Sequence, residues 1–322
     1  MKLIVRTLSA MTAALACTAS LAAGYPDRAV TVIVPFPAGG TTDVLARQLG
    51  YALSEKWKVP VVIENKGGAS GTIGSATVAR SEPNGYTLLV TATHHIINPT
   101  LLKSSIPYDT KNAFTSLAML ATVPNVLVIN KNFEPKTVQE LIDLAKKKPG
   151  VINFGSAGIG GANHLSGELF AHMAGIQLTH IPYRGAAPSL TDLLAGQIPM
   201  MFDSVPGVIA HIKSGDLRAL GVTSSERVPQ LPEVPTISEA GVKGFEAIAM
   251  FGLYGPKGLP ADTVEKISKD VNEVLASPGI KETFAGLGAT PGHMSQPEFA
   301  NYVDTEIDKW ATVIDAAGIK LP

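Results

Sequence analysis

Apolar and polar positions repeat with two different periods along this chain. The apolar run VTVIV at 30–34 is followed by two glycines and then by a stretch with leucines at helical spacing. Two further apolar runs, at 61–63 and 86–90, enclose a second helical stretch. This order predicts a βαβαβ unit, in which parallel strands are joined by helices that cover both faces of the sheet.

The same alternation begins again after Pro124. We predict strands in this second unit at 126–129, 152–154, 179–181, 199–202 and 217–222. Thr137 and Glu140 form a capping-box pattern at the start of one of its helices. The tail is different, because a long apolar strand at 245–254 is followed by amphipathic helices. We expect this tail to return to the first unit and complete it.

Two α/β lobes therefore follow from the pattern, and a length of 322 residues fits two domains. Lobe 1 is predicted to contain residues 24–124 and 247–322, and lobe 2 residues 125–246. The chain would cross between the lobes near 124 and 246, and two such crossings would form a hinge. Each lobe is expected to be a mainly parallel sheet flanked by helices.

The N-terminus has the layout of a secretory signal peptide at 1–23. Lys2 and Arg6 precede a short apolar stretch, and small residues follow at Ala22 and Ala23, where we expect cleavage. The sequence therefore predicts a periplasmic protein. Cys17, the single cysteine, lies inside this segment. A lipoprotein would carry its lipid there, but Ala14 stands where that motif prefers leucine.

A mature chain without cysteine has neither disulfides nor thiolate metal sites. Without Lys2 and Arg6, 24 basic residues stand against 27 acidic ones, and no basic run is present. Nucleic acid is therefore excluded as the expected partner. An anionic ligand would have to be held by local dipoles, because the net charge is negative.

Two glycine-rich segments stand where a predicted strand passes into a predicted helix. Loop 1 is PFPAGGTTD at 35–43, and loop 2 is FGSAGIGGANH at 154–164. The free N–H groups and the dipole of a helix start favour an anion. Ligands of open α/β sheets lie at the carboxyl ends of strands. One such loop in each lobe, facing across a cleft, predicts an anion site between the lobes.

Neither loop has the spacing of a dinucleotide or phosphate-binding motif, so no cofactor is predicted. A hydrolase would need a nucleophile, a base and an acid, for which Ser156, His164 and Asp203 are candidates. The nucleophile-elbow motif is absent, however, because Phe154 stands where glycine is required. No metal site is predicted either.

Other polar residues follow predicted strands. Arg184 either grips a carboxylate or fixes its turn, and Asp203 either contacts the ligand or caps the next helix. Of the pair His94 and His95, strand alternation would send one side chain inward. Asp43 is expected to support loop 1 from behind, because a carboxylate repels an anion.

Several segments together resemble one known family, the Bug-type substrate-binding proteins of tripartite tricarboxylate transporters. They are VPFPAGGTTDVLAR, ENKGGASGTIGS, PNGYTLL, INFGSAGIGGANHLSGELF, HIPYRGAAPSLTDLLAGQI and GLPADTVEKI. The resemblance covers nearly the whole mature chain in the same order. It implies the two-lobed periplasmic-binding-protein fold (type II, Venus-flytrap) and a loop pair that holds a carboxylate through backbone groups and bridging waters.

The resemblance also implies a function. We expect a monomeric, non-enzymatic binding protein that captures a dicarboxylate, tricarboxylate or aromatic acid and delivers it to a membrane permease. A sensory protein that presents its ligand to a membrane kinase would share the same fold, and a secreted serine hydrolase is a more distant alternative. The predicted ligand-binding residues are Phe36, Ala38, Gly39, Gly40, Thr41, Thr93, His95, Ser156, Ala157, Gly158, Gly160, His164, Tyr183, Arg184 and Asp203.

Overall fold

The computed structural model describes residues 24–103 and 105–316. The predicted signal peptide at 1–23 lies outside the described residues. Within these two ranges, no helix combines the length and the apolarity that a membrane span requires.

Strands and helices alternate through most of the described chain, as the hydrophobic pattern predicts. The strands are β1 (Val30–Val34), β2 (Val61–Asn65), β3 (Thr87–Ala92), β4 (Phe114–Asn130), β5 (Asn153–Ser156), β6 (Thr179–Pro182), β7 (Met200–Ser204), β8 (Leu217–Val222), β9 (Ile248–Pro256) and β10 (Thr290–Pro291). The helices of the first half are α1 (Thr41–Trp57), α2 (Thr72–Ala79), α3 (His94–Leu101), α4 (Thr110–Ala113), α5 (Val138–Lys147) and α6 (Ala162–Ala174). Those of the second half are α7 (Ala186–Leu194), α8 (Val205–Lys213), α9 (Ala261–Ala276), α10 (Pro278–Gly286) and α11 (Gln296–Ala316).

The strands form a mixed sheet in the order β2-β1-β3-β9-β4-β7-β5-β6. β1 runs parallel to β2 and β3, and β5 runs parallel to β6 and β7. The long strands β4 and β9 are antiparallel to their neighbours. The two parallel groups are the predicted βαβ units, and the antiparallel strands between them are the segments that connect the two units.

The partners of β4 change in the middle of the strand. Pro124 pairs with Ile248 of β9, whereas the next residue, Asn125, pairs with Ser204 of β7. On the return path, the N–H of Ala247 donates to a carbonyl in the second unit, that of Thr223, at 2.9 Å. Strand pairing therefore changes close to the predicted crossings. The residue boundaries of the lobes stay a prediction, because pairing does not show which parts move as units.

The C-terminal segment packs on the first unit. Trp57, at the end of α1, is buried, and its Nε1 donates to Oδ2 of Asp270 on α9 at 2.6 Å. On the other face of the sheet, Phe299 and Val303 of α11 are buried against Ile33 of β1. Burial of this apolar surface contributes most of the free energy that holds the returning segment in place.

Two elements differ from the prediction. Residues 94–101 form a helix that begins directly after β3, although Pro99 lies inside it and β-branched residues disfavour helix. β4 begins at Phe114, twelve residues before the strand predicted at 126–129. The sequence does not predict its first part, because a continuous apolar run does not distinguish a buried strand from a buried helix.

Candidate functional site

Both glycine-rich loops lie between a strand and a helix, as the sequence predicts. Loop 1 connects β1 to α1, and loop 2 connects β5 to α6. The helices begin after Gly40 and Gly161, whose backbones are nearly alike (φ −76°, ψ 164° and φ −85°, ψ 165°). The first N–H groups of a helix have no partner within it. Each loop therefore presents free amides at the positive end of a helix dipole.

Loop 1 is held by the side chain of Asp43. The N–H of Gly39, which has a φ of +84°, donates to Oδ2 of Asp43 at 2.9 Å. Asn65 Nδ2 donates both to Oδ1 of Asp43 (2.9 Å) and to the carbonyl of Phe36 (3.0 Å). Burial acts to raise the pKa of Asp43, but hydrogen bonds from Arg47, Gly39 and Asn65 outweigh it and hold that pKa below its usual value. The expectation that Asp43 supports loop 1 is confirmed.

Loop 2 is held in a corresponding way by a histidine. The N–H of Gly160, which has a φ of +79°, donates to Nδ1 of His164 at 3.3 Å. The hydroxyl of Ser156 accepts the N–H of Gly158 at 3.2 Å. The amides of Gly39, Gly158 and Gly160, which the sequence predicts to bind ligand, are thus used within the loops. Ala38, Gly40, Thr41 and Ala157 remain as the predicted backbone contacts.

The lobes are in direct contact at these loops. Thr41 Oγ1 of loop 1 lies 2.8 Å from Oγ of Ser204, at the end of β7. A Cβ placed on Gly161 of loop 2 would lie 2.6 Å from Cε1 of His94 at the start of α3. Each lobe thus contacts the other through the end of a strand and the start of a helix.

His94 lies between the two loops. Its ring packs against Phe36 of loop 1 with ring centroids 4.8 Å apart, and it meets Gly161 of loop 2 on the other side. Burial lowers the pKa of His94 to about 4, with a smaller contribution from the nearby His164. Nδ1 of His94 and Oδ1 of Asn98 have no hydrogen-bond partner among the described residues. Both atoms are buried polar groups whose hydrogen-bonding capacity the described chain leaves unused.

His94 was not among the predicted site residues, and the structure corrects two neighbours that were. The ring of His95 is buried in lobe 1 between Phe114 and Tyr254, at centroid distances of 4.9 and 4.1 Å. The hydroxyl of Thr93 accepts the N–H of Met250 at 3.0 Å. Both side chains face the core, because these residues begin a helix and do not follow strand alternation. The position of His94 after β3, a parallel neighbour of β1, is the signal in the sequence that places it near loop 1.

The turn after β6 brings two predicted residues to the second lobe's side of the cleft. The hydroxyl of Tyr183 donates to Asp192 at 2.7 Å, and burial together with the Asp192 carboxylate raises the pKa of Tyr183 to about 12. Tyr183 therefore braces its own lobe. Arg184 is exposed, and a Cβ on the adjacent Gly185 would lie 3.8 Å from Cγ of Pro37 in loop 1. This contact places the backbone next to Arg184 beside loop 1.

Asp203 is a buried carboxyl at the end of β7. Its Oδ1 accepts Nδ2 of Asn163 (3.0 Å) and the N–H of Ser204 (2.8 Å). Its Oδ2 has no partner within the described part of the chain. Burial raises the pKa of Asp203 to about 6, against the effect of the hydrogen bonds from Ser204 and Asn163. Asp203 thus orders the start of α6 through Asn163 and has one oxygen left for a donor.

The hydrolase arrangement considered for Ser156, His164 and Asp203 is not formed. Oγ of Ser156 lies 2.6 Å from Nε2 of His180, and this histidine is not the one expected as the base. The ring of His180 stacks on those of both Phe154 and His164, and burial together with His164 lowers the pKa of His180 to about 3. Ser156 also donates to the carbonyl of Gly158 at 3.0 Å. These contacts shape loop 2 and do not line up a nucleophile with the predicted base and acid.

Comparisons with known proteins agree on one family. The sequence model described as "Tripartite tricarboxylate transporter family receptor" (TctC) matches residues 45–319. Protein BugT of Bordetella pertussis is 38% identical over 298 residues, which cover 92% of this chain and 91% of BugT.

Two solved structures from Rhodopseudomonas palustris are also similar. Rpa4515 with adipate has a TM-score of 0.88 and 36% identity, with 92% of this chain and 99% of that chain covered. MatC with bound malate has a TM-score of 0.84 and 31% identity, with 90% and 100% covered. These matches confirm the predicted two-lobed α/β fold class.

The raised pKa of Asp203 predicts a pH-dependent cost of folding. Between the ordinary pKa of 3.8 and the folded value of about 6, the folded state binds more protons than the unfolded state, so stability falls as pH rises. Asp203→Asn removes this penalty. The stability of D203N relative to the wild type should therefore rise by on the order of 2 kcal/mol between pH 4 and pH 7.5.

Denaturant unfolding of both proteins at the two pH values measures this difference. Asp216→Asn is the matched control, because hydrogen bonds from Ser214 and Lys131 lower the pKa of that exposed carboxyl. Its relative stability should stay nearly constant between pH 4 and pH 7.5, because a carboxyl with a lowered pKa loses its stabilising contribution only as pH falls toward and below 3.8. A D203N difference that is the same at both pH values would show that Asp203 is not a destabilised buried carboxyl.

Proposed function

Because the chain belongs to the tripartite tricarboxylate transporter receptor family, we propose that it captures a small organic carboxylate in the periplasm and delivers it to a transporter of this type. This family membership confirms the resemblance seen in the sequence. The observation that carries the proposal is that each glycine-rich helix start contacts the opposite lobe, Thr41 at Ser204 and Gly161 at His94, and that His94 also packs on Phe36 of loop 1.

A carboxylate suits this arrangement for a physical reason. Free amides at a helix start point at the ligand, and the helix dipole favours a negative charge. Hydrogen bonds to a charged group contribute about 1.5–3 kcal/mol each, more than neutral ones. We propose that the starts of α1 and α6 share one carboxylate of the ligand, directly or through a water molecule.

The remaining polar groups act on the rest of the ligand. Nδ1 of His94 and Oδ2 of Asp203 have no partner among the residues described, and Arg184 is exposed beside loop 1. Rpa4515 and MatC, which share the fold, were solved with adipate and with malate. We infer that this protein also takes a dicarboxylate, tricarboxylate or aromatic acid, with Arg184 attracting a second negative group.

Capture and release require the lobes to separate. We propose that the protein opens about the two crossings near 124 and 246, and that the bound carboxylate stabilises the closed state through contacts to both loops. The closed protein would then dock on the membrane permease as a monomer. In this proposal it catalyses no reaction, and its signal peptide is cleaved on secretion.

A thermal-shift screen of organic acids tests the ligand class. A ligand that binds only the folded protein adds about 2.7 kcal/mol of stability at 100 times its dissociation constant. We expect at least one acid among malate, adipate, citrate and benzoate to raise the melting temperature. The amide of the same acid, which keeps its shape but has no charge, should not. Stabilisation by a neutral sugar but by none of the acids would contradict the proposal.

Gly161→Ala tests closure. The backbone of Gly161 accepts alanine, but the added Cβ would lie 2.6 Å from Cε1 of His94, which is buried against Phe36. Overpacking of this kind costs about 1–3 kcal/mol, and it occurs only when the lobes are closed. Calorimetry should show acid affinity at least about tenfold lower, with little change in the unliganded melting temperature.

Gly279→Ala is the control for this variant, because a Cβ at Gly279 meets nothing within 4 Å. If G161A binds the acid as tightly as G279A does, the closed contact between loop 2 and His94 has no part in capture.

A further inference from the structure

The two loops share one hydrogen-bonding arrangement. In each, a glycine with positive φ donates its N–H to the side chain four residues later: Gly39 to Asp43 and Gly160 to His164. In each, that side chain stands at the third position of the following helix. The resulting ring fixes the left-handed turn from which the helix amides point outward.

The two acceptors differ in charge. Asp43 is a carboxylate whose charge is compensated by the guanidinium of Arg47, with Nε at 3.0 Å from Oδ2. His164 can accept the Gly160 N–H only when its Nδ1 carries no proton. Its Nε2 then carries the proton and lies 3.5 Å from Oε1 of Glu168.

A neutral acceptor in loop 2 avoids electrostatic repulsion of the ligand carboxylate. A carboxylate in place of His164 would also accept the Gly160 N–H, but it would place a negative charge beside the incoming ligand carboxylate. Loop 2 has no hydrogen-bonded guanidinium corresponding to Arg47 among the described contacts of His164. An uncharged imidazole therefore orders the turn without repelling the anion.

We propose that His164 is the positioning residue of loop 2, and that its unprotonated Nδ1 fixes the Gly160 turn so that the start of α6 faces the ligand carboxylate. This inference rests on the proposed capture of a carboxylate. It assigns His164 no direct ligand contact, unlike the sequence prediction.

Substitutions that place a polar atom at the position of only one of the two ring nitrogens test this role. The amide oxygen of asparagine can take the place of Nδ1, whereas glutamine reaches the position of Nε2. With malate as the probe in calorimetry, we expect His164→Asn to bind within about threefold of the wild type. His164→Ala and His164→Gln should lose about tenfold, the loss expected for one hydrogen bond.

His164→Asp tests whether a negative charge on the acceptor weakens ligand binding. It keeps an acceptor for Gly160 but adds an anion, so its affinity should fall below that of His164→Asn. His172→Asn is the matched control, because His172 is an exposed histidine on the same helix. Equal loss of affinity in H164N and H164Q, with H172N unchanged, would overturn the proposal, since it would show that Nδ1 has no special role.

Measurements on the ligand-free protein test the role of His164 independently of the proposed function. In ¹⁵N-histidine-labelled protein, the NMR shifts of His164 should show an unprotonated Nδ1 and a protonated Nε2. The Gly160 amide should exchange slowly in the wild type and H164N and faster in H164Q. If malate and the other acids do not bind, the proposed function fails, yet these spectra still decide the role of His164. A protonated Nδ1 would overturn it.

Discussion

The N–H groups at the start of an α-helix have no partner within the helix, and two helices of this protein begin at the same cleft. Much of the site follows from this constraint. The glycines at Gly40 and Gly161 leave the helix starts open, and the positive-φ turns before them are tied back by Asp43 and His164. The amides used within the loops fix the geometry, and the remaining amides are free for an anion.

Magnitudes indicate that the ligand, and not the protein alone, controls closure. The hydroxyl contact between Thr41 and Ser204 is a neutral hydrogen bond, which contributes about 1 kcal/mol. Nδ1 of His94, beside Gly161, and Oδ2 of Asp203, at the end of β7, are buried without partners in the described chain. Such atoms oppose closure until a ligand satisfies them. A carboxylate held by several charge-assisted hydrogen bonds stabilises the closed state more than the direct contact does.

Local dipoles also explain how an acidic protein can bind an anion. Acidic residues outnumber basic ones in the chain by 27 to 26, so the overall field offers no attraction. Charges farther apart than about 8 Å are largely screened at physiological ionic strength, whereas hydrogen-bonded amides act at contact. The exposed Arg184 beside loop 1 is a further local positive charge.

Much of the fold could be predicted from the sequence, because strand and helix periods are local properties. The loops were found for the same reason, since glycines between a strand and a helix lie close together in the chain. The support of loop 1 by Asp43 could also be predicted, because it acts over only four residues.

The contacts between distant parts of the chain could not be predicted. Thr41 and Ser204 are 163 residues apart, and nothing local indicates that they meet. Strand alternation does not show which of His94 and His95 lies between the loops, and tertiary packing makes this segment a helix despite Pro99. The pairing of Ser156 with His180 likewise depends on the register of β5 and β6.

The central claim is that amides from both loops converge on one carboxylate. A crystal structure of the protein with the acid that stabilises it most would test this claim directly. We expect one carboxylate of the ligand between the starts of α1 and α6, bonded to amides of both helices directly or through a single water. A ligand bound at another place, or held by only one of the two helix starts in a closed protein, would contradict the account.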